Sequence, residues 1–411
     1  MSGHGITKRQ LYVDVARAMA ITMIVMAHVL RTGVVSDYLG STGVAMFFFL
    51  SGYVYRWKED RRAYWLGRIR RLVVPYLAVA TVSILIYHAA GRFAAAQIGT
   101  DIGTTDILPN LAAMLYANSK DHSMKWNETL WFVPCFLTVL IMANLLERWI
   151  VWCGKKGFDL SAAIVRLAAI GTSLCLHYFL TQRNDLRLPW QWETAFAMLP
   201  IFEAGILAHT AISVHNAQAY TNDIKLGKCG DFRPIRLTTG TELGIALLSI
   251  ALEIILTPIN GQISIRGDIY THYALSFLIL ALGIAGYILL AYGIVRVIAL
   301  CGSETKTLAA TPHPEDSRCK ELDRSQISAA GDNRFLCLAS YVGRHTFDIM
   351  LWNKFPVLIF QTLLPVVFHG FDKLYEAQDN LRGVLISIPI TLVCIALCLL
   401  WTAIYQHVNH H

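Results

Sequence analysis

Apolar runs long enough to cross a lipid bilayer recur along the whole sequence, and no other feature limits its fold so strongly. A span needs about 20 apolar residues at ~1.5 Å rise each. Inside hydrocarbon, each spanning segment must satisfy its own backbone N–H and C=O groups. The runs therefore predict an all-α polytopic membrane protein with about ten transmembrane helices. Composition agrees: 55% of residues are hydrophobic and 15% charged, where a soluble domain carries about 25% charged residues.

The first run, Tyr12 to Leu30, reads YVDVARAMAITMIVMAHVL. It contains Asp14, Arg17 and His28. Ionisable groups within a span are costly and face a cavity or a partner, so each is a functional candidate. Arg17 and His28 are eleven positions apart, close to three turns at ~3.6 residues per turn. They share one helix face and lie roughly 16 Å apart along the axis.

Lysine and arginine sort into alternate loops, as the positive-inside rule requires. Lys8 and Arg9 precede the first span, and Arg56 to Arg71 (RWKEDRRAYWLGRIRR) follow the second, Gly43–Tyr55, after a short loop at Arg31–Ser41. Further spans are expected at Leu72–Ala90, Thr129–Val151, Leu160–Leu180, Thr194–Val214, Leu243–Leu256, Tyr273–Leu300, Leu336–Phe368 and Val384–Tyr405. The stretch Gly91 to Asn127 reads as an outer loop with a short interfacial helix, and Pro356 and Pro365 break or kink the ninth span. Both termini then lie in the cytoplasm. The chain forms a single transmembrane domain, 1–411, with a charged, Pro-bearing cytoplasmic loop at 301–333. The net charge of +7 follows from this topology and calls for no nucleic acid. Nine cysteines form no CxxC or Cys/His pattern, so neither a disulfide framework nor a metal site is expected. The N-terminus lacks the cleavage site of a signal peptide, and no internal repeat stands out, which disfavours inverted-repeat transporters.

Four constellations carry chemistry. Arg17 and His28 are the first. The bland reading pairs Arg17 with Asp14 on the same helix and leaves His28 to water. The sharper one makes His28 a general base and Arg17 an anion holder. The second is Arg68-x-x-Arg71, two guanidiniums on one face that suit a pyrophosphate, against the alternative of a topology determinant touching anionic lipid. In the third, Phe47-Phe48-Phe49-Leu50-Ser51-Gly52-Tyr53, the aromatics read as packing and Ser51-Gly52 as a close helix crossing. The fourth is Asn127 to Pro134, where Glu128 is either a solvated helix-start carboxylate or an acceptor-binding group.

In this order, these residues resemble the acyltransferase 3 family of integral membrane acyltransferases, of the sugar O-acetylase kind. The resemblance is carried by Tyr12-Val-Asp14-Val-Ala-Arg17, Arg17-x10-His28, Phe47-Phe-Phe-Leu-Ser-Gly-Tyr53, Arg68-x-x-Arg71 with Pro75-Tyr76, Leu130-Trp131-Phe132 and Tyr341 to Met350. It implies transfer of an acetyl or other short acyl group from cytoplasmic acetyl-CoA to a hydroxyl of an envelope or exported glycan, with no permanently bound cofactor. Carried across, His28 is the catalytic base or transient acyl carrier and Arg17 its companion. Arg68 and Arg71 meet the donor's phosphates, and Glu128 and Trp131 meet the acceptor. Asp14 then serves mainly to orient Arg17. The setting implied is a bacterial inner membrane, with membrane lipids, donor and a glycan or lipid-linked sugar as partners.

Two positions depart from the family pattern. An acidic residue is expected in the helix-4 Trp motif, where this chain has Val133, Pro134 and Cys135. A histidine is expected in the late motif, where this chain has Asn353. These departures bear on the acceptor rather than the reaction. The rival class is a transporter or flippase of lipid-linked sugars, in which the buried charges line a path and no covalent chemistry occurs.

Overall fold

The computed structural model describes residues 10–30, 33–98, 105–120, 123–157, 161–183, 186–225, 239–307, 333–363 and 381–409. Among them, nine helices are long and apolar enough to cross a membrane. The protein is an all-α polytopic membrane protein. Its only strands among the described residues form a small hairpin, Ile263–Ser264 (β1) with Ile269–Tyr270 (β2), paired Ile263 to Tyr270 and Ser264 to Ile269.

Helix α1 (Leu11–Leu30) lies at the centre. It packs against α2 (Val34–Tyr53), α10 (Tyr273–Thr307), α11 (Arg334–Arg344), α12 (Thr346–Trp352), α13 (Lys354–Leu358) and α14 (Leu381–Asn409). Its apolar window is 72% buried, against 22% for α7 (Ala162–Thr181) and for α9 (Thr239–Asn260), which present most of their surface outward. Of its ionisable residues, Asp14 is buried and Arg17 and His28 are only partly exposed, as expected of groups that face a cavity or a partner.

Helix α2 is antiparallel to α1 and crosses α8 (Trp192–Lys225) at two glycines. A Cβ on Gly52 would sit 1.9 Å from the Phe202 carbonyl oxygen, and one on Gly205 2.2 Å from that of Phe49. This is the close crossing that Ser51-Gly52 predicts. Gly205→Ala is expected to lower the thermal midpoint in detergent, since overpacking costs about 1–3 kcal/mol; an unchanged midpoint would contradict the tight crossing. Phe47 and Phe48 pack on Phe132 and Phe136 of α6 (Phe132–Lys155), with centroids 5.1–6.3 Å apart. The aromatic run is packing, as expected.

The basic run is helical. α3 (Arg61–Arg68) starts at Asp60, whose carboxylate accepts from the Ala63 N–H at 3.0 Å and caps the helix. One widened π-type turn, Ile69–Val73, then leads into α4 (Val74–Ile98). Pro75 has no N–H, and its ring would press on the carbonyl four residues back, at Arg71. Widening the turn relieves that clash. The expected interfacial helix is α5 (Ile107–Tyr116). It is tied down by Tyr76 to the Met114 carbonyl (2.7 Å), Trp190 to Leu115 (3.0 Å) and Tyr116 to Arg187 (2.6 Å).

Several expected boundaries move. The loop at Arg31–Ser41 shortens, because α2 begins at Val34. The short span at Leu243–Leu256 extends to Thr239–Asn260. Helix α10 runs on to Thr307, and most of the expected 301–333 loop lies outside the described residues. The long helix at Leu336–Phe368 is instead broken into α11, α12, α13 and a π-type turn at Ile359–Leu363. The breaks fall at His345 and Asn353. Pro356 explains the second, since it deprives the Trp352 carbonyl of a helical partner. Pro365 lies outside the described residues. This broken segment stands beside the nine membrane-length helices found among the described residues.

Candidate active site

His28 sits in the last turn of α1, where backbone carbonyls lose their helical donors. Side chains from two other segments supply them. Ser36 donates to the Ala27 carbonyl at 2.9 Å, and Gln361 Nε2 donates to the His28 carbonyl at 2.7 Å. Gln361 lies in the π-type turn after α13, a local distortion that re-aims side chains at functional sites.

The break between α12 and α13 places Asn353 against the His28 ring, with Nδ1 3.0 Å from Asn353 Oδ1. The amide's other end donates to the Met350 carbonyl at 2.8 Å, so the oxygen is the atom facing the ring. A carbonyl oxygen only accepts. His28 Nδ1 therefore carries the proton and donates it, and in the neutral ring Nε2 keeps its lone pair. Asn353 is fully buried, and the imidazole is thus held in one tautomer and one orientation.

The charged groups acting on this ring are Lys354, Arg266 and Glu128. Arg266 comes from the turn between β1 and β2 and pairs with Glu128. Glu128 opens a short turn, Glu128–Trp131, that feeds α6. Trp131 is only 5% exposed and belongs to the core. Of the two expected acceptor residues, Glu128 stands at the His28 end with a surface of its own, and Trp131 is part of the wall.

The far end of α1 is built differently. Arg17 and Arg68 line one small cavity of about 100 Å³, together with Ser51, Tyr55, Phe136 and Leu140. Arg68 lies 5.2 Å over the Tyr64 ring, a cation–π contact that fixes its direction. Arg71 is exposed and does not line the cavity. The π-type turn begins directly after Arg68, so the three-residue spacing no longer aligns the two side chains as a regular helix would. Asp14, expected mainly to orient Arg17, is buried and accepts from Ser340 at 3.1 Å, with Arg344 Nε 3.8 Å away. Gly343 permits this approach, because a Cβ there would lie 2.0 Å from the Asp14 carbonyl oxygen.

A family model described as an acyltransferase domain, Acyl_transf_3, matches residues 10–403, nearly the whole chain. The chain belongs to the acyltransferase 3 family. No curated protein and no solved structure matches it. It is a membrane acyltransferase, and the resemblance read from Arg17-x10-His28 and its companions holds across the chain.

In this acyltransferase the two ends of α1 offer different chemistry. A paired-arginine cavity suits an anion, and an oriented neutral imidazole suits proton abstraction from a hydroxyl. Four contributors to the His28 end were not among the sequence-derived site residues: Asn353, Gln361, Lys354 and Arg266. Two of them carried a readable signal. Lys354 is a cation inside an apolar run, and Arg266 lies in a loop that the charge rule assigns to the outer face. Asn353 was visible only as a departure from the family pattern.

Proposed function

We propose that the protein moves an acetyl or other short acyl group from cytoplasmic acyl-CoA to a hydroxyl of an envelope or exported glycan, across a bacterial inner membrane. The observation that carries the proposal is the pairing of an arginine-lined cavity and an Asn-oriented histidine at opposite ends of one buried helix. The basic run Arg56–Arg71 assigns the Arg17 end to the cytoplasm, which also puts both termini there. The donor's phosphates bind Arg17 and Arg68, and the pantetheine arm points along α1 toward His28, about 16 Å away. Ile21 and Ile24 are buried on the intervening face, so donor entry has to part their packing.

At His28, Nε2 takes the proton of the acceptor hydroxyl as its oxygen attacks the thioester carbonyl carbon. The charge that develops on the carbonyl oxygen is met by the nearby cations Lys354 and Arg266. The C–S bond then breaks, the ester forms, and the thiolate leaving group recovers the proton from His28. Glu128, paired with Arg266, contacts the acceptor's hydroxyl groups.

The test separates the two arginines. Arg68→Ala should raise the KM for acyl-CoA by about 10–100-fold, the worth of charge-assisted hydrogen bonds at ~1.5–3 kcal/mol, with kcat changed far less. Arg71→Ala should leave it near wild type. Equal effects of the two substitutions would contradict the donor site. Glycan movement without acyl-CoA consumption would favour a flippase instead.

A further inference from the structure

A second concavity lies at the His28 end of the bundle, outside the site described above. It has a volume of about 530 Å³, within the ~300–1,000 Å³ typical of small-molecule sites. Its walls come from the end of α7 and from the segment joining β2 to α10. Tyr178, Tyr270 and Tyr273 line it together with Gln182, Thr271 and His272. Aromatic residues of a membrane belt stand at the interface to anchor spans. Here three tyrosines, two threonines, an amide and an imidazole instead converge on one hollow.

The rings are ordered against one another. Tyr178 and Tyr273 meet edge to face at 5.2 Å, Tyr270 and Tyr273 at 6.0 Å, and Phe277 stacks on Tyr270 at 5.4 Å. Tyr178 keeps 45% of its surface exposed. The back wall is rigid: Tyr273 donates to the Leu174 carbonyl at 2.9 Å and lies 2.9 Å from His177 Nδ1. His177 Nε2 lies 2.7 Å from Asp268, which also pairs with Lys120 at 2.9 Å. Burial pushes the Asp268 carboxyl up, but the hydrogen bond with His177 and the ammonium of Lys120 hold it below its ordinary range.

Among the described residues the lining holds no Lys, Arg, Asp or Glu, and its aromatic, amide and hydroxyl groups suit a neutral ligand better than a phosphate or an acidic headgroup. An amphipathic face of tyrosines with amide and hydroxyl partners matches a neutral sugar ring, apolar on its C–H face and polar at its edge. The position fits as well. The hairpin that supplies Tyr270 also supplies Arg266, four residues away, whose charge acts on His28. Arg266 lies in the turn, so these four positions span less than the ~13 Å of fully extended chain, a gap that a short oligosaccharide bridges.

We infer that the hollow bounded by Tyr178, Gln182, Tyr270 and Tyr273 is a remote acceptor subsite, which holds a neutral sugar unit of the glycan while another unit reaches His28. The inference rests on the glycan reading above and deepens it.

The test is equilibrium binding of maltohexaose, cellohexaose and chitohexaose to the purified full chain in detergent. The variants are Tyr178→Ala and Gln182→Ala, neither in the catalytic machinery, with His28→Ala as a third. At least one hexasaccharide should bind the wild type. Tyr178→Ala should weaken it at least ten-fold and Gln182→Ala several-fold, with His28→Ala changing it less than two-fold. No binding of any of the three to the wild type, or equal binding to Tyr178→Ala, overturns the subsite. Acyl transfer from acyl-CoA is measured separately on the same samples. Tyr178-dependent binding with no transfer in the wild type would sink the transferase reading and leave the subsite standing.

Discussion

His28→Ala is expected to cut acyl transfer by about 10²–10⁴-fold, the range of a positioned general base, with the protein still present and folded in the membrane. The expectation rests on geometry. The ring is fixed by Asn353 at 3.0 Å, and the helix end that carries it is closed by Ser36 and Gln361. Those contacts to the backbone do not depend on the imidazole, so its removal deletes the base without undoing the scaffold. Asn353→Ala should have a smaller effect, about 10–100-fold on kcat, corresponding to the ~1–3 kcal/mol of a hydrogen bond that selects tautomer and orientation. The two losses should not add, because both act through one ring. The measurement is transfer of labelled acetyl from acetyl-CoA in membranes matched for protein level. Near-wild-type transfer by His28→Ala would remove the base from the mechanism.

The largest expected effect on stability lies elsewhere, at Arg166→Met. Arg166 is 7% exposed on α7 and bonds both Glu203 of α8, which is fully buried, and Glu147 of α6. One cation holds three helices through two carboxylates. Removing it strands buried negative charge, which costs about 3–5 kcal/mol. The double variant Arg166→Met with Glu203→Gln should recover part of the loss, since it removes one of the stranded charges. Thermal unfolding in detergent reads both. An Arg166→Met midpoint equal to wild type would show that the triad contributes nothing.

Much of the fold was legible because bilayer length and loop charge are coarse signals that survive without tertiary detail. The central helix was visible as Tyr12–Leu30, and its Arg17–His28 face as a count of eleven. The packing role of Phe47 and Phe48 and the close approach at Gly52 were also readable, because small and aromatic residues have few uses inside a bundle.

Local geometry set by proline was harder. Pro356 marked a break near Asn353, but not that the break would bring Asn353 to His28, which is 325 positions earlier. A widened turn follows Arg68, and Arg68 but not Arg71 lines the cavity, which spacing on a regular helix does not show. The contact of Asp14 with Ser340 and its close approach to Gly343 were not readable, since no local pattern couples positions so distant in sequence. Arg266 and Lys354 were the missed opportunity, since one is a cation in an outer loop and the other a cation inside an apolar run.

The most direct test of the account is a structure of His28→Ala with acetyl-CoA bound, in which the missing base holds the donor unreacted. The donor's phosphates are expected against Arg17 and Arg68, and its thioester carbonyl in the space left by the imidazole, facing Asn353. Phosphates bound at the Lys354–Arg266 end, or a thioester far from position 28, would contradict it.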